Sequence, residues 1–226
     1  MFSKIRLITF DLDDTLWPTR AVIMAAERQL YGWLGQNAPQ LAHAMSIQQM
    51  RKQRLQFMRQ HPDIAHDLTR VRLQTLEQLM ADYGYPRSKA QQGLKVFRHA
   101  RNQVALWDDV LPVLDYLRQR YRLVSITNGN VQLEHTPLQG YFHLSLSAED
   151  VGAAKPDPAL FHSVAQWSGL PYAQMLHVGD DWERDVLPAK RLGMSTAWVH
   201  RKAVSPAETG GADLCLFNLR PLRIYL

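Results

Sequence analysis

Hydrophobic positions along the chain follow two different periods. Ile5 to Phe10 is a short run of β-branched and apolar residues that stops at Asp11. A run of that length, bounded by polar residues, predicts a buried strand. From Leu16 to Trp107 the period lengthens. Ile23, Ala26, Leu30 and Trp33 recur at helical spacing, and so do Leu73, Leu76, Met80 and Tyr83. Asn37-Ala38-Pro39, His61-Pro62-Asp63 and Gly84-Tyr85-Pro86 punctuate the segment and divide it into about four helices.

Beyond Asp108, short apolar runs alternate with helical stretches. Strands are predicted over Leu123–Thr127, Phe142–Leu146, Gln174–Val178, Ser195–Val199 and Asp213–Leu216. Helices are predicted from Asp109 to near Arg120, from Asp157 to near Gly169, and from Trp182 to Leu192. Asp157-Pro158 reads as an N-cap followed by proline at the first helical position. This alternation implies an α/β fold, a Rossmann-like parallel sheet covered on both faces. The helical segment separates the first strand from the others. The expected organisation is therefore an α/β core of residues 1–15 and 108–226, with a helical cap domain of residues 16–107 inserted after the first strand.

In open parallel sheets, ligands bind beyond the carboxyl ends of the strands. Asp11, Asp13, Asp14 and Thr15 follow the first predicted strand. Thr127 ends the second, Lys155 lies in a loop before a helix, and Asp180, Asp181 and Asp185 follow the strand ending at Val178. Carboxylates gathered in one place repel one another, and a hard divalent cation relieves that repulsion. Mg²⁺ suits an oxygen-lined site that also holds a phosphate, and Mn²⁺ takes the same ligands. A carboxylate becomes a useful nucleophile when aligned with a phosphorus whose charge is neutralised by metal and lysine. Each residue alone has an ordinary reading as a turn former, a helix cap or a surface lysine. Their order and their positions at strand ends favour chemistry.

Composition narrows the surroundings. The 226 residues suffice for a core domain with an insertion. The N-terminal apolar stretch is too short and broken for a signal peptide or membrane span, so a cytoplasmic protein without membrane attachment is expected. A net charge of +5 and a pI near 9.4 suit a small anionic partner. The basic residues are scattered rather than blocked, so nucleic acid is not expected. Cys215 is the only cysteine, which excludes a disulfide within the chain. Set in Leu214-Cys215-Leu216-Phe217, it reads as a small buried hydrophobe. Trp17 reads equally as a core residue or a stacking surface for a flat ligand. Five of the eight methionines fall in the helical segment, where filling a core is the stronger reading.

Asp11-Leu12-Asp13-Asp14-Thr15-Leu16 resembles the first motif of the haloacid dehalogenase-like (HAD) hydrolases. Thr127 resembles their second motif, Lys155 their third, and Gly179-Asp180-Asp181 through Asp185 their fourth. The helical insertion is similar to the family's cap. The resemblance implies a Mg²⁺-dependent phosphomonoester hydrolase that passes through an aspartyl phosphate. Asp11 would be nucleophile and metal ligand. Asp13 would be general acid/base and would bind the metal through its carbonyl. Thr127 and Lys155 would hold the phosphoryl group, with Asn128 beside them. Asp180 would complete the metal site, and Asp181 or Asp185 would support it. Dehalogenase members lack an acid/base aspartate at the position of Asp13, so its presence argues for phosphate esters; mutase members share it.

A closer resemblance covers His66 to Arg72, the helix through Ala81-Asp82, Ile126 to Asn130 and Leu176 to Asp181. It is to bacterial phosphatases of flavin mononucleotide and 5-amino-6-(5-phospho-D-ribitylamino)uracil, a riboflavin precursor. Arg70 and Arg72 are then candidate substrate contacts. Two alternatives are a broad-specificity sugar-phosphate or nucleotide phosphatase and a non-catalytic phospho-ligand-binding module. A phosphatase of proteins or nucleic acids ranks lower, because a cap hinders bulky substrates. The oligomeric state is not legible.

Overall fold

A computed structural model describes residues 2–201 and 211–226. The chain divides into two compact units. One comprises Met1–Pro18, Ala105–Gly129 and Thr136–Leu226; the other comprises Thr19–Val104 and Asn130–His135.

The first unit is built on a six-stranded parallel sheet: β1 (Leu7–Phe10), β2 (Arg122–Thr127), β3 (Leu144–Ser147), β4 (Met175–Gly179), β5 (Ser195–Val199) and β6 (Leu214–Leu216). Their order in space is β3-β2-β1-β4-β5-β6. β1 pairs with β2 on one side and β4 on the other, with Phe10 opposite Ser125 and Val178. The chain therefore reverses its direction of travel across the sheet between β1 and β4, which is where open α/β sheets form their binding crevice. β1 and β4 are buried along their whole length. That explains their largely apolar runs, interrupted only by Thr9 and His177, since both faces of a central parallel strand are covered. Helices α6 (Val110–Leu117), α7 (Ala148–Val151), α8 (Ala159–Ser168), α9 (Leu187–Arg191) and α10 (Leu222–Tyr225) complete this unit.

Four details differ from the sequence pattern. The third strand starts at Leu144, and Phe142 instead packs its ring edgewise on Phe10, 6.1 Å between centroids. Helix α8 starts at Ala159, and Asp157 accepts the Ala159 N–H as part of the lead-in. The stretch after β4 opens with a wide π-type turn, Trp182–Val186, before α9 begins. Cys215 is exposed, contrary to the buried reading, because the short β6 turns it away from the buried Leu216.

The second unit contains five α-helices: α1 (Thr19–Asn37), α2 (Pro39–Ala44), α3 (Ile47–Gln60), α4 (Leu68–Asp82) and α5 (Lys89–Arg101). Ser46 and Gln49 form a reciprocal capping box at α3, and Asp67 caps α4. Leu30, Leu34, Leu41, Leu76, Met80 and Phe97 are central to its core. Met45 and Met50 belong there too, while Met24 and Met58 are only half-buried. Gly93 lets α5 approach α1: a Cβ there would lie 3.0–3.1 Å from Trp33, Leu30 and Leu76. Among the described residues, no helix is long and apolar enough to cross a membrane.

Candidate active site

The carboxyl ends of β1, β2 and β4 bring three charged groups together. Asp11 follows β1, with its N–H bonded to Val178 of β4. Lys155 reaches in from the loop after α7 and is almost fully buried. Its ammonium donates to Asp11 Oδ1 at 2.7 Å, to Asp185 Oδ1 at 2.6 Å and to the Ile126 carbonyl at 3.0 Å. Three acceptors use the three N–H donors of the ammonium. Burial alone would lower the lysine's pKa, but Asp11 and Asp185 overcome it and hold Lys155 above its ordinary range.

Asp11, Asp180 and Asp185 each present an oxygen, and the three lie within 4.8 Å of one another. Burial, and then the neighbouring Asp185 and Asp180, push Asp11 well above the usual carboxylate range, with Lys155 opposing. Burial and Asp185 raise Asp180 to about 7. Asp185 moves the other way: burial would raise it, but Lys155 and His177 hold it far below. The Thr15 hydroxyl lies 3.2 Å from Asp11 Oδ2 and 3.1 Å from Asp180 Oδ1. One hydroxyl proton cannot serve two ionised carboxylates at once. The raised carboxylates and the shared proton mark a site short of positive charge. A divalent cation with oxygen ligands fits it, and Asp11 and Asp180 are the side chains best placed to hold one.

Local geometry explains how the first motif folds. Asp14 adopts φ 62°, a left-handed conformation that short polar residues tolerate. The chain turns back there: Leu16 N–H bonds to Leu12, and Asp14 N–H to the Trp17 carbonyl. That return carries Thr15 to Asp11. It also fully buries Trp17, whose indole N–H donates to Asp13 Oδ1 at 2.9 Å. Trp17 is thus a core residue that fixes Asp13, not a stacking surface.

At the end of β4, space dictates Gly179. A Cβ there would fall 2.5 Å from the Asp185 carboxyl carbon. The π-type turn folds Asp185 back over this glycine, and Asp185 Oδ2 accepts the Asp181 N–H at 3.1 Å. Asp181 itself caps the turn through the Arg184 N–H and pairs with Arg184 at the surface. Of the two adjacent aspartates, Asp180 faces the carboxylate cluster, and Asp181 is the cap.

Other candidates take different positions. Thr127 is buried, and its hydroxyl oxygen accepts the Gly129 N–H at 2.9 Å. Asn128 is occupied by the Lys155 main chain: its amide donates to the Lys155 carbonyl at 2.8 Å and accepts the Lys155 N–H at 2.7 Å. It positions the lysine loop rather than offering its amide to a ligand. Within the helical unit Arg70 is exposed, whereas Arg72 is buried. Arg72 pairs with Glu27 at 3.1 Å and lies 3.3 Å over the Phe97 ring. Arg54 shares Glu27 at 2.9 Å. Burial, with Arg54 nearby, lowers Arg72 to about 10. This corrects the expectation for Arg72, whose guanidinium is taken up inside the helical unit.

Sequence reasoning gave no role to His177, Trp198 or Arg201. His177 is buried between Thr9, 2.8 Å from Nδ1, and Asp185, 3.2 Å from Nε2. Burial lowers its pKa and keeps it neutral. Asp185 only accepts, so the ring proton sits on Nε2 and the Thr9 hydroxyl donates to Nδ1. Trp198 donates its indole N–H to the Asp180 carbonyl at 2.8 Å. Arg201 grips Asp109 with two bonds of 2.8 Å and donates to the Thr15 carbonyl at 2.6 Å. Only Leu176-His177-Val178 carried a signal, a histidine inside an apolar strand.

Residues 5–193 match the haloacid dehalogenase-like hydrolase family model. The chain belongs to this family. It is 34% identical over 201 residues to the 5-amino-6-(5-phospho-D-ribitylamino)uracil phosphatase YigB of Escherichia coli K12, covering 87% of this chain and 84% of that protein. Identity to the glyceraldehyde 3-phosphate phosphatase of Methanopyrus kandleri is 26%, over 92% of this chain and 90% of the relative. A solved structure of a 2-haloacid dehalogenase from Pseudomonas syringae pv. Tomato DC3000 superposes with a TM-score of 0.89 at 34% identity, covering 96% of both chains. This HAD-family chain is an enzyme with the family's α/β fold, and its relatives include both phosphatases and dehalogenases.

Proposed function

We propose that the chain hydrolyses a small phosphomonoester with Mg²⁺, through a covalent phosphoryl intermediate on Asp11. The observation that carries this reading is the buried cluster of Asp11, Asp180 and Asp185 around Lys155. The cation would be held by Asp11, Asp180 and the Asp13 carbonyl; Mn²⁺ would serve as well. When bound, it would neutralise charge on the phosphoryl oxygens.

The residues divide the remaining work. An Asp11 oxygen attacks phosphorus as the ester P–O bond breaks. Lys155 offsets the charge on Asp11 and the transferring group, and Thr127 holds a phosphoryl oxygen. Asp13, fixed by Trp17, gives its proton to the leaving oxygen. It then takes one from the water that attacks phosphorus, which frees phosphate and restores Asp11. The helical unit acts as the cap that selects substrate. Similarity to YigB favours 5-amino-6-(5-phospho-D-ribitylamino)uracil or flavin mononucleotide, that is, a step in riboflavin formation.

The 34%-identical haloacid dehalogenase raises a second reading, displacement of halide from carbon. That chemistry needs neither Asp13 as acid nor a cation among crowded carboxylates. The test is phosphate release from a panel containing both proposed substrates, sugar phosphates and nucleotides, with and without Mg²⁺, beside halide release from 2-haloacids. Mg²⁺-dependent phosphate release, abolished in a folded Asp11→Asn variant, is expected. Halide release without phosphate release would replace this reading with the second. Binding of phosphate esters without turnover would leave a ligand-binding module.

A further inference from the structure

The opposite ends of the central strands carry a second concentration of charge, of the other sign. A cavity of about 520 Å³ is lined by Arg6, Arg118, Arg120, Tyr121, Arg122, Leu170 and Gln174. Four of its seven lining residues are arginine, and no carboxylate lines it. Arg6 lies just before β1, Arg122 opens β2 and Gln174 lies just before β4. Their main chains are side by side, with Arg122 N–H bonded to Arg6 and Arg6 N–H to Gln174. Arg122 and Thr127 sit at opposite ends of β2, about 17 Å apart at the rise of a parallel strand. The cavity is therefore separate from the Asp11 cluster.

The guanidiniums are held without acidic partners. Arg6 donates to the Ser3 and Ile5 carbonyls, Arg120 to the Tyr116 carbonyl and Arg122 to the Ser168 carbonyl. Arg118, Arg120 and Arg122 lie over the rings of Tyr141, Tyr116 and Trp167 at 5.1, 4.1 and 6.0 Å. Asp115, one turn before Arg118, hydrogen-bonds Tyr141. None of the four arginines forms an ion pair among the described residues. A guanidinium has five donors. The carbonyl contacts of Arg6, Arg120 and Arg122 occupy a single nitrogen on each, and among the described residues the Arg118 side chain makes only its ring contact, so donors remain on all four exposed side chains for an anion. The rings and carbonyls that these arginines touch favour their side-chain positions at the surface. Pre-ordered arginines lose less entropy when they take up an anion.

We propose that this arginine-lined cavity binds a small anion of linked phosphates, either the phosphate chain of a nucleotide or an inorganic oligophosphate. Convergence separates it from a nucleic-acid surface, which needs a basic track that follows a strand. The volume is that of a small-molecule site. Four guanidiniums exceed what a single phosphate group can satisfy and suit charge spread along a chain of phosphates.

The test is isothermal titration calorimetry on the full chain in chelator without divalent cations, using sodium tripolyphosphate, ATP and orthophosphate. Wild type is expected to bind tripolyphosphate saturably, more weakly as salt rises, and more tightly than orthophosphate. Arg118→Gln/Arg122→Gln should weaken that binding at least tenfold, and Arg6→Gln/Arg120→Gln should do the same in an independent pair. Both variants should keep the wild-type melting temperature and Mg²⁺-dependent phosphate release. Equal affinity for ATP and tripolyphosphate would identify the phosphate chain alone as ligand; tighter ATP binding would add the nucleoside. No saturable binding, or binding untouched in both folded variants, would overturn the proposal.

Discussion

Asp185 accepts from Lys155 and His177 through the same oxygen, Oδ1, while its other oxygen takes the Asp181 N–H. It forms no part of the proposed bond-making, yet it fixes the ammonium that faces Asp11. Two substitutions test this dependence. Gly179→Ala drives a methyl into Asp185, whose partners prevent it from moving aside. A displacement of about 1 Å in a catalytic group costs on the order of 100-fold in rate. A loss of that size in kcat with a lowered Tm is expected; a variant with wild-type kcat would show that the crowding relaxes harmlessly. His177→Phe removes the Nε2 donor, and such supporting contacts are worth about 10- to 100-fold in activity. His177→Gln keeps a donor and should recover most of the loss in kcat. Equal loss in both variants would reduce His177 to packing. Residues of this kind are hard to read from sequence. An aspartate at a strand end declares its chemistry, whereas the task of His177 depends on Asp185 folding back eight positions later. Asn128 failed for the same reason: its amide partner lies 27 residues away.

At the scale of elements, the strands were legible because β1 and β4 are buried along their length and are mostly apolar. The π-type turn over Trp182–Val186 was not, since its sequence fits an ordinary helix start. Only the need to bring Asp185 over Gly179 distinguishes it. Nor does helical periodicity announce that Asn130–His135 belongs with the helical unit, where Asn130 bonds Thr69 and Gln132 bonds Asn102. The connection after β5 is similar. Arg201 ties that end of the sheet to two distant stretches, Thr15 and Asp109. Asp109 is 1% exposed, and its remaining described partner is the Leu219 N–H at 2.5 Å. Removing one member of a buried pair strands the other charge at a cost of about 3 kcal/mol or more. Arg201→Ala should lower stability by about that much in urea unfolding. Arg201→Ala/Asp109→Asn should recover part of it, because a neutral amide is cheaper to bury. Unfolding of the single variant at the wild-type midpoint would mean that water takes over the role of the arginine.

Over the sheet-bearing unit, charge is divided between the two ends of the central strands: carboxylates after β1 and β4, arginines before β1 and at the start of β2. Net charge and pI hide this division, which is why scattered basic residues read as a solvated face. The acidic end makes metal binding depend on pH, and the sign follows from the shifts. Asp180 titrates near 7 in the folded, metal-free chain against an ordinary 3.8. A raised folded pKa stabilises the fold fully below the unfolded value, and that contribution is lost as pH climbs through about 7. Asp11 is shifted in the same direction. His177 opposes them: its lowered pKa gives a contribution present above its ordinary 6.5 and lost as pH falls. A simple pH–stability curve mixes these effects, but Mg²⁺ separates them. The cation requires ionised carboxylates and must displace their protons at acidic pH, while His177 is not among the groups proposed to hold it. Apparent Mg²⁺ affinity should therefore rise by up to about tenfold per pH unit for each proton displaced, and level off once Asp11 and Asp180 are both ionised. The rise in Tm produced by a fixed Mg²⁺ concentration should be larger at about pH 8 than at about pH 5.5. Equal rises at the two pH values would mean that the cation binds without displacing protons, and so away from Asp11 and Asp180.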